Sequence, residues 1–383
     1  MPANEKLILE QLGQLIQLPS VSSTDPSWDQ GNRKVIDLLA TWLESMGFAT
    51  EIQEIVADGS KANLIATRGT GPGGLVLAGH TDTVPFDEGR WKSNPLALDE
   101  RDGRIYGLGS TDMKGFFPMA IAAAASFADV DLQQPLILLA TADEESSMNG
   151  ARALAAAGKP KARAAIIGEP TSLVPVRMHK GIMMEAVHVK GQAGHSSNPN
   201  LGNNALDSMH QVMAELMSFR STLGERYSNP HFEVAFPTLN LGHIHGGDSP
   251  NRICGQSELH FDLRMTPAGC NSTVREEIRE RLTEIGTRRN IDIEMRSLIQ
   301  DVSPFEQDAE SELVQLAQKL TGNDAIAVAF ATEAPFMQQL GMETIVMGPG
   351  SIDQAHQPDE FMPLDQIRPC IALLEQFIRH YCL

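Results

Sequence analysis

The sequence predicts an α/β protein with a mostly parallel central sheet and a smaller α+β domain inserted into it. Short, almost uninterrupted apolar runs are separated by helical stretches, which is typical of strands buried on both faces of a sheet. In the middle of the chain the pattern changes to alternating strands and amphipathic helices, which is typical of a unit with its own core. We therefore predict a main domain built from residues 1–177 and 303–383, with an inserted domain at 178–302.

The main domain is predicted to begin with two helices. Apolar residues recur at helical spacing over Glu5–Gln17, and we place Leu7, Leu9, Leu12, Leu15 and Ile16 on its apolar side. A second helix fits Asn32–Met46 and ends at Gly47, a usual helix stop. The predicted strands are Asn63–Thr67, Leu75–Ala78, Leu136–Ala140, Ala165–Ile167 and Thr344–Met347. Further helices are predicted at Met119–Phe127 and Ala151–Ala157.

The inserted domain is predicted to have the element order β-α-β-β-α-β. Its strands are predicted at Ile182–Lys190, Thr238–His243, Glu258–Arg264 and Ile291–Leu298. Its two helices are predicted at Asn204–Phe219 and around Val274–Ile285, where apolar residues recur every three or four positions. A segment of about 120 residues in this order can bury a core of its own.

Composition narrows the class of protein. The chain of 383 residues carries 30 Lys and Arg against 49 Asp and Glu, a formal charge of −19. This balance argues against nucleic acid and anionic membranes as partners, because both select a basic surface. The N-terminal stretch lacks a basic, apolar signal sequence, and the four cysteines show no CxxC spacing. We therefore expect a cytoplasmic protein with reduced thiols and without nucleic acid or membrane as a partner.

Polar residues follow four of the predicted strands at the point where each strand ends. Because ligands gather at the carboxyl ends of strands in open α/β sheets, we expect these residues to meet. Two imidazoles and three carboxylates could hold two divalent ions if one carboxylate bridged them. The charge of three carboxylates also suits two ions better than one, since excess buried negative charge is costly. The candidate metal ligands are His80, Asp112, Glu145, Glu169 and His356.

Two further carboxylates have predicted roles beside these ligands. Glu144 adjoins Glu145 and is not needed as a ligand, so it could act as the general acid and base of a hydrolysis. Asp82 follows His80 by two residues, a spacing at which its carboxylate could accept the second imidazole N–H. Zinc suits this ligand set best, although cobalt or manganese could occupy the same oxygen-rich site.

These residues lie in sequence runs that resemble the di-zinc aminoacylase, deacylase and carboxypeptidase family. The runs are HTDTVP (80–85), STDMKG (110–115), ADEES (142–146), GEP (168–170), GHSS (194–197) and AHQPDE (355–360). They are spread over nearly the whole chain, including the inserted domain. The resemblance implies that one ion is held by His80, Asp112 and Glu169 and the other by Asp112, Glu145 and His356. It also implies a cis peptide bond between Asp112 and Met113.

The resemblance has further implications for the inserted domain and the substrate. The inserted domain would act as a lid and form a homodimer, and His195 would stabilise the oxyanion of the substrate. Asn251 and Arg252 would bind the α-carboxylate of an N-acyl amino acid. Longer runs, such as PTLNLGHIHGGDSPNRIC (237–254), are similar to family members that hydrolyse N²-acetyl-L-ornithine in arginine biosynthesis. Glu333 could then meet the side-chain ammonium.

Other substrates, and one other class of protein, are also consistent with the sequence. The same chemistry could serve N-succinyl-diaminopimelate, another N-acyl amino acid or a dipeptide as substrate. The alternative from a different class of protein is one that binds metal without catalysis. A site that only stores metal has no use for Glu144, a base that is not needed as a ligand.

Overall fold

The computed structural model describes residues 3–383. The helices are α1 (Ala3–Ile16), α2 (Arg33–Ser45), α3 (Phe116–Ala125), α4 (Asn149–Ala157), α5 (Ala205–Arg226), α6 (Asn271–Arg289), α7 (Glu312–Thr321), α8 (Ala334–Gln339) and α9 (Ile367–Cys382). The strands are β1 (Ala49–Glu54), β2 (Ala62–Arg68), β3 (Leu75–His80), β4 (Asp99–Arg101), β5 (Arg104–Tyr106), β6 (Leu136–Thr141), β7 (Ala164–Pro170), β8 (Val176–His179), β9 (Met183–Lys190), β10 (Gly194–His195), β11 (Thr238–Gly246), β12 (Arg252–Ile253), β13 (Gln256–Arg264), β14 (Asp292–Ser297), β15 (Phe305–Glu306), β16 (Ile326–Val328), β17 (Glu343–Gly348) and β18 (Phe361–Pro363).

The chain forms two compact units. The first contains the chain up to Arg177 together with Gln307–Ile326 and Thr332–Leu383. The second contains Met178–Glu306 and the short segment Ala327–Ala331. The sequence predicts an inserted domain at residues 178–302, whereas this second unit runs from residue 178 to residue 306 and includes the further segment Ala327–Ala331.

The sheet of the first unit has a parallel centre and antiparallel margins. Its strand order is β1-β2-β6-β3-β7-β17-β8. Strands β6, β3, β7 and β17 run parallel, whereas β1 and β2 on one side and β8 on the other pair antiparallel. The α/β class predicted from the sequence is confirmed, and the continuous apolar runs of β3 and β6 are buried at every residue.

Helices cover the sheet of the first unit and complete its core. Side chains from α1, α2, α3 and α9 pack with those of β3 in one apolar cluster. Representative members are Leu12, Leu39, Leu77, Phe116 and Phe377. One assignment on α1 was wrong: Leu7 is 51% exposed, and Ile8 takes the buried position instead. The α1 sequence is apolar on more than one side, so its periodicity did not fix the buried face at this end.

The second unit is a four-stranded antiparallel sheet packed against two helices. Its sheet order is β11-β13-β9-β14, and the chain order β9-α5-β11-β13-α6-β14 is the one predicted from the sequence. Alternate residues of β13 are buried, as expected for a sheet with one covered face. Its core includes Phe219, Phe261 and Ile278. Within residues 3–383, no helix has the length and apolar composition needed to cross a membrane.

Two leucines of α1 give a direct test of this packing. Leu12 is fully buried in the core of the first unit, so Leu12→Ala should lower the free energy of unfolding by about 2–5 kcal/mol. Leu7→Ala, on the exposed side of the same helix, should change it by less than about 0.5 kcal/mol. Urea unfolding of both variants measures the difference. Equal losses would contradict the orientation of α1.

Candidate metal centre

The carboxyl edge of the parallel strands brings the five predicted ligands together. His80 ends β3, Glu145 lies in the turn after β6, and Glu169 lies near the end of β7. His356 follows β17, and Asp112 lies in the loop between β5 and α3. Parallel strands end at the same edge of a sheet, so residues far apart in sequence meet there. The clustering expected from the sequence is therefore present in the first unit.

Asp112 lies between the two imidazoles. Its Oδ1 is 3.0 Å from Nε2 of His80, and its Oδ2 is 3.3 Å from Nε2 of His356. Each carboxylate oxygen thus faces a different histidine, which is the arrangement that a bridging ligand requires. The peptide bond between Asp112 and Met113 is cis, as predicted.

The remaining ligand candidates flank this pair of histidines. Nε2 of His356 is 3.0 Å from Glu145, and Nε2 of His80 is 3.7 Å from Glu169. Among the described residues, two groups bring their ligand atoms within 4.8 Å of one another: His80 with Glu144 and Glu169, and His80 with Asp112 and Glu145. Glu144 therefore lies as close to His80 and Glu169 as a ligand would, whereas the sequence predicts it beside the metal ligands.

The contact of Asp82 with His80 differs from the one expected. Nδ1 of His80 lies 3.0 Å from the backbone carbonyl oxygen of Asp82, and the nearest carboxylate oxygen is 3.7 Å away. The carbonyl therefore fixes the imidazole, with Nδ1 donating and Nε2 turned toward Asp112. The Asp82 carboxylate instead accepts a hydrogen bond of 3.1 Å from the backbone N–H of Glu145. It thus joins the end of β3 to the turn that carries the two glutamates.

The electrostatics of the cluster favour added positive charge. Loss of solvation, together with neighbouring carboxylates, raises the pKa of both Glu144 and Glu169 well above the usual range. Hydrogen bonds with Asp112 and Glu145 raise the pKa of His356 to about 10. Burial lowers the pKa of His80, but Asp112 and Glu169 outweigh it and hold that pKa well above its usual value. Oxygen-rich donors with two imidazoles are the set that divalent cations require.

A buried ion pair that was not predicted from the sequence holds the turn of the two glutamates. Asp143 has a left-handed backbone, with φ of 60°, immediately before Glu144. Its carboxylate lies 2.6 Å from Nζ of Lys61 and accepts a hydrogen bond of 3.0 Å from the Ser22 hydroxyl. Lys61 also pairs with Asp29 at 2.7 Å. Asp143 lies within the ADEES run, which could have indicated it, but nothing local in the sequence pointed to Lys61.

Glu333 is buried in the same unit. The Thr141 hydroxyl donates a hydrogen bond of 2.9 Å to its Oε2, while its Oε1 is buried without a hydrogen-bond partner among the described residues. Burial raises the pKa of Glu333 to about 7. The charges of Glu144 and Glu169 interact with that of Glu333, so the three carboxylates belong to one electrostatic cluster.

The other predicted site residues lie together in the second unit. His195 pairs with Arg252 in the ribbon formed by β10 and β12. The backbone N–H of Ser197 donates to Nδ1 of His195 at 3.2 Å, so the neutral imidazole carries its proton on Nε2. The Arg252 guanidinium is exposed and forms an ion pair with Asp248. The side-chain oxygen of Asn251 accepts a hydrogen bond of 2.6 Å from Ser249.

Comparison with known proteins identifies the class to which the chain belongs. The model of peptidase family M20/M25/M40 matches residues 76–380, and the chain belongs to this family. The resemblance predicted from the sequence is thereby confirmed, and the chain is a metal-dependent amidohydrolase by class.

Curated relatives narrow the comparison. An acetylornithine deacetylase of Edwardsiella ictaluri is 47% identical over 368 residues, which cover 96% of both chains. An acetylornithine deacetylase of Pectobacterium carotovorum is 45% identical over 382 residues, covering 100% of both chains.

Solved structures agree in fold. The metallo-carboxypeptidase Sso-CP2 of Sulfolobus solfataricus has a TM-score of 0.75 at 19% identity, covering 99% of both chains. A dinuclear metal binding peptidase of Bacillus subtilis has a TM-score of 0.70 at 14% identity, again covering 99% of both chains.

The ion pair between Lys61 and Asp143 gives a prediction for stability. Lys61→Met leaves the Asp143 carboxylate buried without its cation, so the free energy of unfolding should fall by about 3 kcal/mol. Lys6→Met removes an exposed pair with Glu10 and should cost less than about 0.5 kcal/mol. Urea unfolding of the metal-free variants measures both values. Similar small losses in the two variants would show that the Lys61 pair does not stabilise the turn.

Proposed function

We propose that the protein hydrolyses N²-acetyl-L-ornithine to L-ornithine and acetate, a step of arginine biosynthesis. The observation that carries this proposal is the clustering of five ligand-type side chains with Glu144, in a chain 45–48% identical to acetylornithine deacetylases. The shared identity extends over almost the full length of the chain, so both units are represented in those relatives.

The site is proposed to hold two divalent metal ions. His80, Asp112 and Glu169 would hold one, and Asp112, Glu145 and His356 the other, with Asp112 as the bridge. The buried carboxylates and the two imidazoles aimed at Asp112 fit such ions in charge and in donor type. Zinc is the metal that we propose, with cobalt or manganese as substitutes in the same donor set.

Glu144 is proposed as the general acid and base. When bound, two divalent ions acidify water and polarise the amide carbonyl. The Glu144 carboxylate would accept the proton of the attacking water and later deliver it to the leaving amine. Burial raises the pKa of Glu144 above its ordinary value, which makes its carboxylate a stronger base. The backbone of Asp82 keeps His80 in the tautomer whose Nε2 faces the site.

Three residues are proposed to recognise the substrate, and one to assist the reaction. Arg252, with Asn251, would bind the α-carboxylate, since a guanidinium suits a planar anion. The buried Glu333, whose Oε1 has no hydrogen-bond partner among residues 3–383, would bind the side-chain ammonium of ornithine. His195 would donate from Nε2 to the oxyanion, a contact whose loss typically costs about 10²–10³ in rate.

Two expectations from the sequence stay predictions. The protein is expected to be a homodimer through the inserted unit, which would act as a lid, and to be cytoplasmic.

Steady-state kinetics with a panel of substrates tests the proposed function. N²-acetyl-L-ornithine, N-succinyl-diaminopimelate and N-acetyl-methionine should be compared with the zinc- and cobalt-loaded protein. We expect the highest kcat/KM for N²-acetyl-L-ornithine. Preference for another substrate would reassign the specificity, and a folded, metal-loaded protein without activity on any of them would favour a binding protein.

Substitution of Glu144 shows whether this residue is a general base or a metal ligand. Glu144→Gln should lower kcat about 10³-fold while both ions are retained, because the residue moves protons and holds no ion. Glu145→Gln, one residue further on, should reduce the metal content as well. Metal content by mass spectrometry and kcat are measured on the same samples. If Glu144→Gln loses an ion, Glu144 is a ligand and the base must be sought elsewhere.

The proposed role of Glu333 is tested by comparing substrates with and without a charged side chain. Glu333→Gln should lower kcat/KM for N²-acetyl-L-ornithine by about 10–100-fold, the value of a hydrogen bond to a charged group. N-acetyl-norvaline has a similar carbon chain without the ammonium, so its kcat/KM should change by less than about threefold. Equal losses for the two substrates would exclude an ammonium contact at Glu333.

A further inference from the structure

The loop that carries Asp112 depends on unusual backbone geometry. The loop, residues 107–115, connects β5 to α3 and contains no regular structure. Gly109 has φ of 79°, a left-handed conformation that residues with a side chain rarely adopt. This conformation aligns the backbone N–H groups of Gly109, Thr111 and Asp112 toward one side chain. Backbone N–H groups that converge in this way form a concave site for an anion.

The side chain that these N–H groups face is Glu360, whose carboxyl group supplies the acceptor oxygens. Its Oε1 accepts hydrogen bonds from the backbone N–H groups of Thr111 at 2.8 Å and Asp112 at 2.9 Å. Its Oε2 accepts a third from Gly109 at 2.9 Å. The residue is only 2% exposed. A carboxylate is costly to bury unless hydrogen bonds replace its water, and here three backbone donors do so.

The backbone around Glu360 holds the same loop. The Glu360 carbonyl oxygen accepts from the N–H of Gly107 at 3.2 Å, and the Phe361 carbonyl accepts from the Thr111 hydroxyl at 2.5 Å. Phe361 begins β18, which pairs with β5 at the start of the loop. The loop is therefore attached to residues 360–361 through main chain and side chain.

Glu360 also lies four residues after His356. One short segment thus contacts Asp112 from two directions, with the imidazole of His356 at its Oδ2 and the carboxylate of Glu360 at its N–H. None of the catalytic or binding roles proposed above uses Glu360.

We infer that Glu360 is a positioning residue that holds the backbone of the 107–115 loop so that Asp112 presents one oxygen to each of two ions. The inference rests on the proposed role of Asp112 as the bridging ligand. Glu360 acts on the metal site only by positioning Asp112, because both of its side-chain oxygens accept hydrogen bonds from backbone N–H groups. Side chains that orient a metal ligand in this way typically change metal affinity or activity by about 10–100-fold.

The substitution Glu360→Gln removes this hold without changing the size of the side chain. An amide has one oxygen, so whichever way it turns, its NH₂ group faces at least one backbone N–H as a second donor. Asp359→Asn is the matched control. Asp359 is adjacent, accepts a hydrogen bond from the backbone N–H of Lys92 at 2.8 Å, and makes no hydrogen bond to residues 107–115 in the described structure.

Two measurements without substrate test the inference. The first is zinc affinity by competition with a chelator, on variants whose circular dichroism matches that of the unsubstituted protein. The second is hydrogen exchange of peptides covering 107–115 in the metal-free protein. We expect Glu360→Gln to lose about 10–100-fold in zinc affinity and to exchange faster in this loop, while Asp359→Asn stays within about threefold in affinity.

Each outcome is decisive. A loss of less than about threefold in zinc affinity for Glu360→Gln, or an equal loss for Asp359→Asn, would overturn the inference. If Glu360→Gln does not fold, exchange in the unsubstituted protein decides, because unprotected amides at 109, 111 and 112 would overturn it. Because neither measurement uses substrate, a wrong substrate assignment would leave both results unchanged.

Discussion

Repulsion among buried carboxylates is the constraint that the rest of this structure satisfies. Asp112, Glu144, Glu145 and Glu169 lie in one cluster at the carboxyl edge of the sheet. Burial first, and then the charges of neighbouring carboxylates, raise the pKa values of Glu144, Glu145 and Glu169. Asp112 is the exception, because hydrogen bonds with His356 and His80 outweigh its burial and lower its pKa. The two imidazoles thus compensate the residue between them, and divalent cations would compensate the others.

Keeping these carboxylates in place against their mutual repulsion requires supporting contacts that are rigid and largely buried. Two of the segments that carry these carboxylates are attached to residues far away in the sequence. The ion pair of Lys61 and Asp143 holds the turn of Glu144 and Glu145, and Glu360 holds the loop of Asp112. His80 is fixed by a backbone carbonyl, which cannot change its protonation state. The parallel centre of the sheet supplies the common edge at which these segments meet.

The sequence predicted most of this arrangement, for reasons that differ between residues. The runs of β3 and β6 are apolar at consecutive positions, so their burial, and the polar residues after them, could be read locally. The family and the fold class were confirmed, whereas the ligand roles of His80, Asp112, Glu145, Glu169 and His356 stay predictions. The burial of Leu7 was wrongly predicted because α1 is apolar on more than one side. The contact of the Asp82 carboxylate with His80 was wrongly predicted because sequence spacing does not reveal whether the carbonyl or the carboxylate of Asp82 lies closer to the imidazole.

Other contacts could not be predicted from the sequence, and the reason is physical. Lys61 meets Asp143 across 82 residues of sequence, and Glu360 meets Asp112 across 248. Contacts at such separations depend on the three-dimensional path of the chain and leave no periodic pattern. Strand β1 was not predicted either, since its residues are mostly polar and partly exposed at the margin of the sheet.

The most direct test of the proposed two-ion centre is a crystal structure of the zinc-loaded protein, with anomalous difference maps recorded on both sides of the zinc absorption edge. We expect two zinc peaks, each about 2.0–2.2 Å from a different oxygen of Asp112, with His80 on one ion and His356 on the other. A single peak, or two peaks with Asp112 bound to only one of them, would contradict it.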